Sequence, residues 1–131
     1  MTARIEGSDP CPCGTGETYD GCCAPAHRGE PPATAEALMR SRYCAFALGD
    51  APYLRATWHP GTRPEVLEID DGMRWRRLDV LSTAAGGPGD RRGEVEFRAV
   101  YRHQGKDGVL HERSRFVFQS GRWWYLDGVV D

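Results

Sequence analysis

The chain has 131 residues, 40 % hydrophobic and 27 % charged, with 17 basic and 19 acidic side chains and a formal charge of −2. That is the composition of one ordinary globular domain with room for a small appendage, and it is too acidic for a dedicated nucleic-acid binder. The longest apolar run, Tyr43 to Leu48, is far too short for a membrane span, and Met1 to Pro10 has no apolar signal core. A cytoplasmic location is expected, with no membrane partner. The basic residues are almost all Arg, Lys106 being the exception. Residues 1–33 carry two bases and five acids, and residues 34–131 carry 15 and 14, so neither part forms an electrostatic footprint for DNA or RNA.

Four of five cysteines crowd the N-terminal region: Cys11, Cys13, Cys22 and Cys23. Clustered thiols without a secretion signal suit a metal better than disulfides, and four thiolates close the shell of a tetrahedral Zn²⁺. Gly14, Gly16 and Gly21 give the intervening loop the freedom a knuckle needs. His27 offers an alternative fourth ligand, and the isolated Cys44 reads as a small buried hydrophobe. One structural zinc is therefore expected.

Pro31-Pro32 separates this segment, residues 1–30, from a larger unit, residues 31–131. Thr34 caps a helix with Glu36 in its first turn; Met39, Tyr43, Phe46 and Ala47 share one face, and Gly49 ends it. Arg40 and Arg42 fall on what reads as a solvated face. Asp50 caps a second helix with Pro52 in its first turn, Leu54 and Trp58 on one face and a stop at Pro60. Residues 61–73 are turn-rich, with at most a short strand or helical turn around Val66 to Ile69. Strands are expected at Arg74–Leu81, around Val95–Tyr101, from Leu110 to Phe118, and from Trp123 to Val129, with turns at 86–89, 105–108 and 120–121. Helices followed by an antiparallel meander define an α+β domain.

The stretch Cys11-Pro12-Cys13-Gly14-Thr15-Gly16, with Tyr19 and then Cys22-Cys23, resembles the SEC-C zinc knuckle found at the tail of the SecA translocase ATPase. Residues 38–46, Thr57 to Pro60, Glu112 to Phe116 and Gly121 to Gly128 resemble the YchJ-like family of small bacterial SEC-C proteins. The resemblance implies a cone-shaped, nuclear-transport-factor-2-like (NTF2-like) domain, helices packed on a curved antiparallel sheet, and Cys23 in preference to His27 as ligand. It implies no reaction. In the SecA tail the similar motif binds a chaperone, so a protein partner is the first functional expectation.

The second is a small-molecule binder or enzyme using a cavity under the sheet, an enzyme being the less expected of the two. Tyr43, Trp58, His59, Tyr101, Glu112 and Trp124 are the candidate pocket residues, and Glu112 and His59 are the candidates for acid–base chemistry. Strand phase puts Glu112 with Leu110, Phe116 and Phe118, where a carboxylate is either paired or proton-sensitive. The plainer reading pairs it with Arg98, Arg102, Arg113 or Arg115. For His59 the plainer reading is a favourable seat at a helix C-terminus.

Overall fold

A computed structural model describes residues 5–70 and 72–131; residues 1–4 of the expected knuckle and position 71 lie outside them. The N-terminal segment folds back on itself through a bridge between Pro10 and Thr18 and a hydrogen bond from Cys11 N–H to Glu17 O at 2.9 Å. Gly14 and Gly16 have φ of 84° and 89°, left-handed values that make the tight loop between the cysteine pairs possible. A single helical turn, α1 (Ala24–His27), follows the closing cysteines; its shortness left no periodic signal in the sequence.

Helix α2 (Ala35–Leu48) begins where Thr34 Oγ1 accepts from Ala37 N–H at 3.0 Å and ends at Gly49, which has φ of 76°. Helix α3 (Ala51–Ala56) is capped by Asp50, whose carboxylate accepts from Tyr53 N–H at 3.1 Å. It stops before Trp58, a turn earlier than its apolar spacing suggests. Trp58 is instead drawn into a parallel bridge with Tyr125, with His59 N–H donating to Tyr125 O at 2.8 Å and Tyr125 N–H to Thr57 O at 2.9 Å. No strand or helix forms around Val66 to Ile69, where Val66 is exposed.

Four strands, β1 (Met73–Ala85), β2 (Arg92–His103), β3 (Lys106–Gln119) and β4 (Arg122–Val130), form an antiparallel meander in sequence order. Two tight turns, Gln104-Gly105 and Ser120-Gly121, have positive φ at both residues, the geometry that continues the strands' own twist. The 104–105 turn lies earlier than expected, so Lys106, Asp107 and Gly108 belong to β3. Register shifts interrupt β1 near Arg76 and Leu81 and β4 near Leu126. Such bulges bend a strand and raise its twist, which gives the sheet a concave face for α2.

On that face Leu78, Val95, Phe97, Ala99, Phe116 and Trp123 are buried, and Cys11, Cys13, Cys23 and Cys44 belong to the same apolar cluster. At one end of the sheet the backbone of Gly86 and Gly93 meets the Ala35 methyl, leaving no space for a Cβ on Gly93. Helix α2 is covered by the sheet, by the N-terminal segment and by α3. Ser41 is buried against His27 and Tyr53, and Arg42 under α3, Trp58 and Tyr125, so Arg42 does not sit on a solvated face.

Candidate functional site: a thiol cluster and an aromatic cavity

The four sulfurs that gather are those of Cys11, Cys13, Cys23 and Cys44, all buried and all within 4.8 Å of one another. Cys11 Sγ and Cys44 Sγ are 3.5 Å apart, although 33 residues separate them. A Zn–S bond of about 2.3 Å implies sulfur–sulfur edges of about 3.8 Å in a tetrahedron, so the donor set fits a thiophilic ion in chemistry and in scale. All five cysteines are free thiols.

Here the structure departs from the sequence expectation. Cys44, read as a hydrophobe, joins the expected Cys11, Cys13 and Cys23, and Cys22 stays beside them, 4.0 Å from Cys23 Sγ. Cys22 lies at the rim, 3.5 Å from Cys13 Sγ and 3.1 Å from Thr15 Oγ1. Burial pushes the Cys22 thiol up to about 11. The neighbouring thiols of Cys11, Cys23 and Cys44, in contrast, hold Cys13 below the ordinary thiol range.

Two polar contacts lock the N-terminal segment to α2, each braced by a second bond on its own side. Arg40 Nη1 donates to Cys13 O at 2.8 Å while its Nε donates to Glu36 at 2.9 Å. His27 bonds Ser41 O through Nε2 at 2.8 Å and Tyr19 Oη through Nδ1 at 2.6 Å. The carbonyl can only accept, so Nε2 carries the proton and Nδ1 accepts from the tyrosine. With both ring nitrogens engaged and its ring against Tyr53 at 4.7 Å, His27 is a strut between the two parts and no metal ligand.

The second feature lies on the other side of α2. A cavity of about 250 Å³ separates that helix from the sheet, walled by aromatic side chains. Of the expected pocket residues, Tyr43, Trp58 and Glu112 line it; His59, Tyr101 and Trp124 do not. The period of an extended chain explains two of these absences. Trp58 and Tyr125 point inward, so their neighbours His59 and Trp124 point outward, where the two rings meet at 6.0 Å and His59 Nε2 contacts Gln119 Oε1 at 2.9 Å. Tyr101 instead lies across Gly108 of the paired strand and against Trp75 at 5.5 Å.

Glu112 faces the cavity together with Leu110, Ser114 and Phe116, as its phase requires, but Phe118 is exposed near the turn. Among the described residues no ion pair joins Glu112 to Arg98, Arg102, Arg113 or Arg115: Arg113 reaches Glu96, Arg115 binds Asp127 and Arg102 binds Asp107. The carboxylate instead accepts from the Ser114 hydroxyl and from Tyr125 Oη, the latter at 3.4 Å. It lies against Gly128, where a Cβ would displace it.

Sequence reasoning missed Arg42. This cation is 5 % exposed; its Nη1 donates to Leu54 O and Thr57 Oγ1, both at 2.7 Å. Its guanidinium lies 4.3 Å from the centre of the Tyr125 ring and 5.3 Å from that of Trp58. Burial draws Arg42 down to about 10, which still leaves it charged at neutral pH. Among the described residues no carboxylate is within ion-pair distance of it. Glu112, joined to it through Tyr125, is the nearby opposite charge that supports its ionisation. A signal was available in Leu38-Met39-Arg40-Ser41-Arg42-Tyr43, where an Arg next to the apolar positions of a helix marks a cation with a buried partner.

The architecture defines a class: an NTF2-like α+β domain with an N-terminal cysteine cluster able to hold a metal. The comparisons make it specific. Residues 34–128 match the family model described as "YchJ, middle NTF2-like domain". A UPF0225 protein of Streptomyces coelicolor is 57 % identical over 120 residues, covering 91 % of this chain and 94 % of that protein. A UPF0225 protein of Deinococcus radiodurans is 52 % identical over 122 residues, covering 90 % and 87 %. The solution structure of a SEC-C motif containing protein from Rhodopseudomonas palustris superimposes with a TM-score of 0.80 at 39 % identity, covering 92 % of this chain and 98 % of that one. The crystal structure of a SEC-C motif containing protein from Psychrobacter arcticus gives 0.78 at 28 % identity, covering 95 % and 84 %. This chain belongs to the YchJ-like UPF0225 family of bacterial SEC-C motif proteins. No helix among the described residues is long and apolar enough to cross a membrane.

Proposed function

We propose that this protein is a small-molecule-binding NTF2-like domain stapled by a structural zinc, with no reaction of its own at the metal. The observation that carries the zinc reading is the meeting of four buried thiols from two distant segments. Four thiolates leave a zinc ion no open position for water, so its role is to hold Cys11, Cys13 and Cys23 against Cys44 of α2. The binding reading is supported by the cavity, whose apolar walls surround a few convergent polar groups. His59 points away from it, so Glu112 has no histidine partner there and an acid–base pair is not proposed.

A protein-docking role, the first expectation from the sequence, has the exposed acids Glu17 and Glu30 of the N-terminal segment behind it. The thiols themselves face α2 rather than solvent.

Elemental analysis of protein purified without added metal tests the zinc reading. About one zinc per chain with little iron is the expected result. Metal-free protein that is fully folded, with its thiols reduced, overturns it.

A further inference from the structure

The chemistry of the cavity narrows what it binds. This inference rests on the reading of the cavity as a binding site. We propose that its ligand is a small, uncharged ring compound bearing a hydroxyl group, a phenol or a comparable alcohol, which donates its proton to the carboxylate of Glu112.

Size sets the first limit. A dry cavity of about 150 Å³ accommodates benzene, so the 250 Å³ here has room for a substituted or fused ring and little more. The walls set the second. Tyr43, Phe46, Trp75, Phe97 and Phe116 offer ring faces and edges for a flat apolar body.

Charge sets the third. Arg42 contributes one positive charge and Glu112 one negative charge to the same lining, with Tyr125 in contact with both. The pair balances without a ligand. An added carboxylate or ammonium would leave an uncompensated charge among aromatic walls, which is costly, whereas a neutral molecule leaves the balance intact.

The free polar valences set the fourth: Trp58 Nε1, a buried donor of the lining, has no hydrogen-bond partner among the described residues, and one oxygen of Glu112 is open as well. Both hydrogen bonds of Glu112, from Ser114 and Tyr125, end on Oε2, and Oε1 has no hydrogen-bond partner among the described residues. An ionised carboxylate only accepts, so the group that satisfies Oε1 must be a donor. A hydroxyl supplies one donor, and its hydrogen bond to the carboxylate is charge-assisted. Gly128 keeps open the space in which that carboxylate sits, and Ser114 and Tyr125 fix its orientation. These neighbours make Glu112 a preset acceptor rather than a flexible surface acid.

The test uses zinc-loaded full-length protein and three probes of one shape: 2-naphthol, naphthalene and 2-naphthoate. Binding is read at pH 7 by ¹H–¹⁵N shift changes at α2 and β3, and for wild type against Glu112→Gln. The expected order is 2-naphthol tightest, naphthalene at least tenfold weaker, and naphthoate weakest. Glu112→Gln should weaken 2-naphthol by about tenfold, the loss of one charge-assisted bond, and leave naphthalene unchanged. Should Glu112→Gln fail to fold, the order of the three probes on the wild type decides alone. Naphthoate binding tightest assigns the site to anions through Arg42, and naphthalene matching naphthol makes it purely apolar; either result overturns the hydroxyl ligand and keeps the cavity as a binding site. Shifts with none of the three overturn the cavity reading itself.

Discussion

Stripping the metal from the thiol cluster will loosen α2 as well as the N-terminal segment. Without the proposed metal, four thiols and an unpinned loop lie in the middle of the apolar cluster, with Cys44 in the helix that roofs the sheet. Structural zinc in small domains is worth on the order of 10 kcal/mol. Even if only ~4 kcal/mol of this is expressed here, at ~4 °C per kcal/mol the unfolding midpoint falls by ~15 °C. Hydrogen exchange after chelation should show lost protection for residues 38–48 along with the N-terminal segment, while the β2–β3 hairpin exchanges last. Read as two units divided at Pro31-Pro32, the sequence suggests that residues 34–131, with their own periodic core, survive loss of the metal. An α2 whose protection is unchanged by chelation would support that division.

Replacing Arg42 will be the most damaging change in the cavity wall. Arg42→Ala removes two hydrogen bonds from a buried cation, opens space between Trp58 and Tyr125, and leaves Glu112 without its nearby positive charge. Charged hydrogen bonds are worth about 1.5–3 kcal/mol and the cavity adds to this, so a loss of about 3 kcal/mol or more is expected in urea unfolding. Arg42→Lys keeps the charge and a nitrogen that can donate to Leu54 O and Thr57 Oγ1, but it cannot stack as a plane on Tyr125 and Trp58, so it should recover only part of the loss. A loss below about 1 kcal/mol for Arg42→Ala would show that the guanidinium does not organise the wall.

Much of this molecule is legible in its sequence because local rules act locally. Thr34, Gly49 and Asp50 delimit the helices through their own caps, and alternation along β2 and β3 places Phe97 and Glu112 on the inner face. What escapes is what depends on a second element arriving. Periodicity assigns α2 one buried face, but the sheet, the N-terminal segment and α3 all pack on it, so Ser41, Arg42 and Cys44 are buried as well. Trp58 follows α3 in sequence with helical spacing, yet pairing with β4 captures its backbone and turns His59 outward. Cys44 joins the other thiols across 33 residues, a distance at which no spacing rule speaks.

The central claim is that a single metal centre takes ligands from both parts of the chain. Zinc retention in Cys44→Ser and Cys22→Ser, each challenged with the same chromophoric chelator, tests it most directly. With Cys44 a ligand and Cys22 at the rim, Cys44→Ser should surrender its zinc at chelator concentrations at least tenfold below those that strip the wild type, and Cys22→Ser should hold its zinc like the wild type. Zinc lost from Cys22→Ser and kept by Cys44→Ser would contradict the account and return the metal to the N-terminal segment alone.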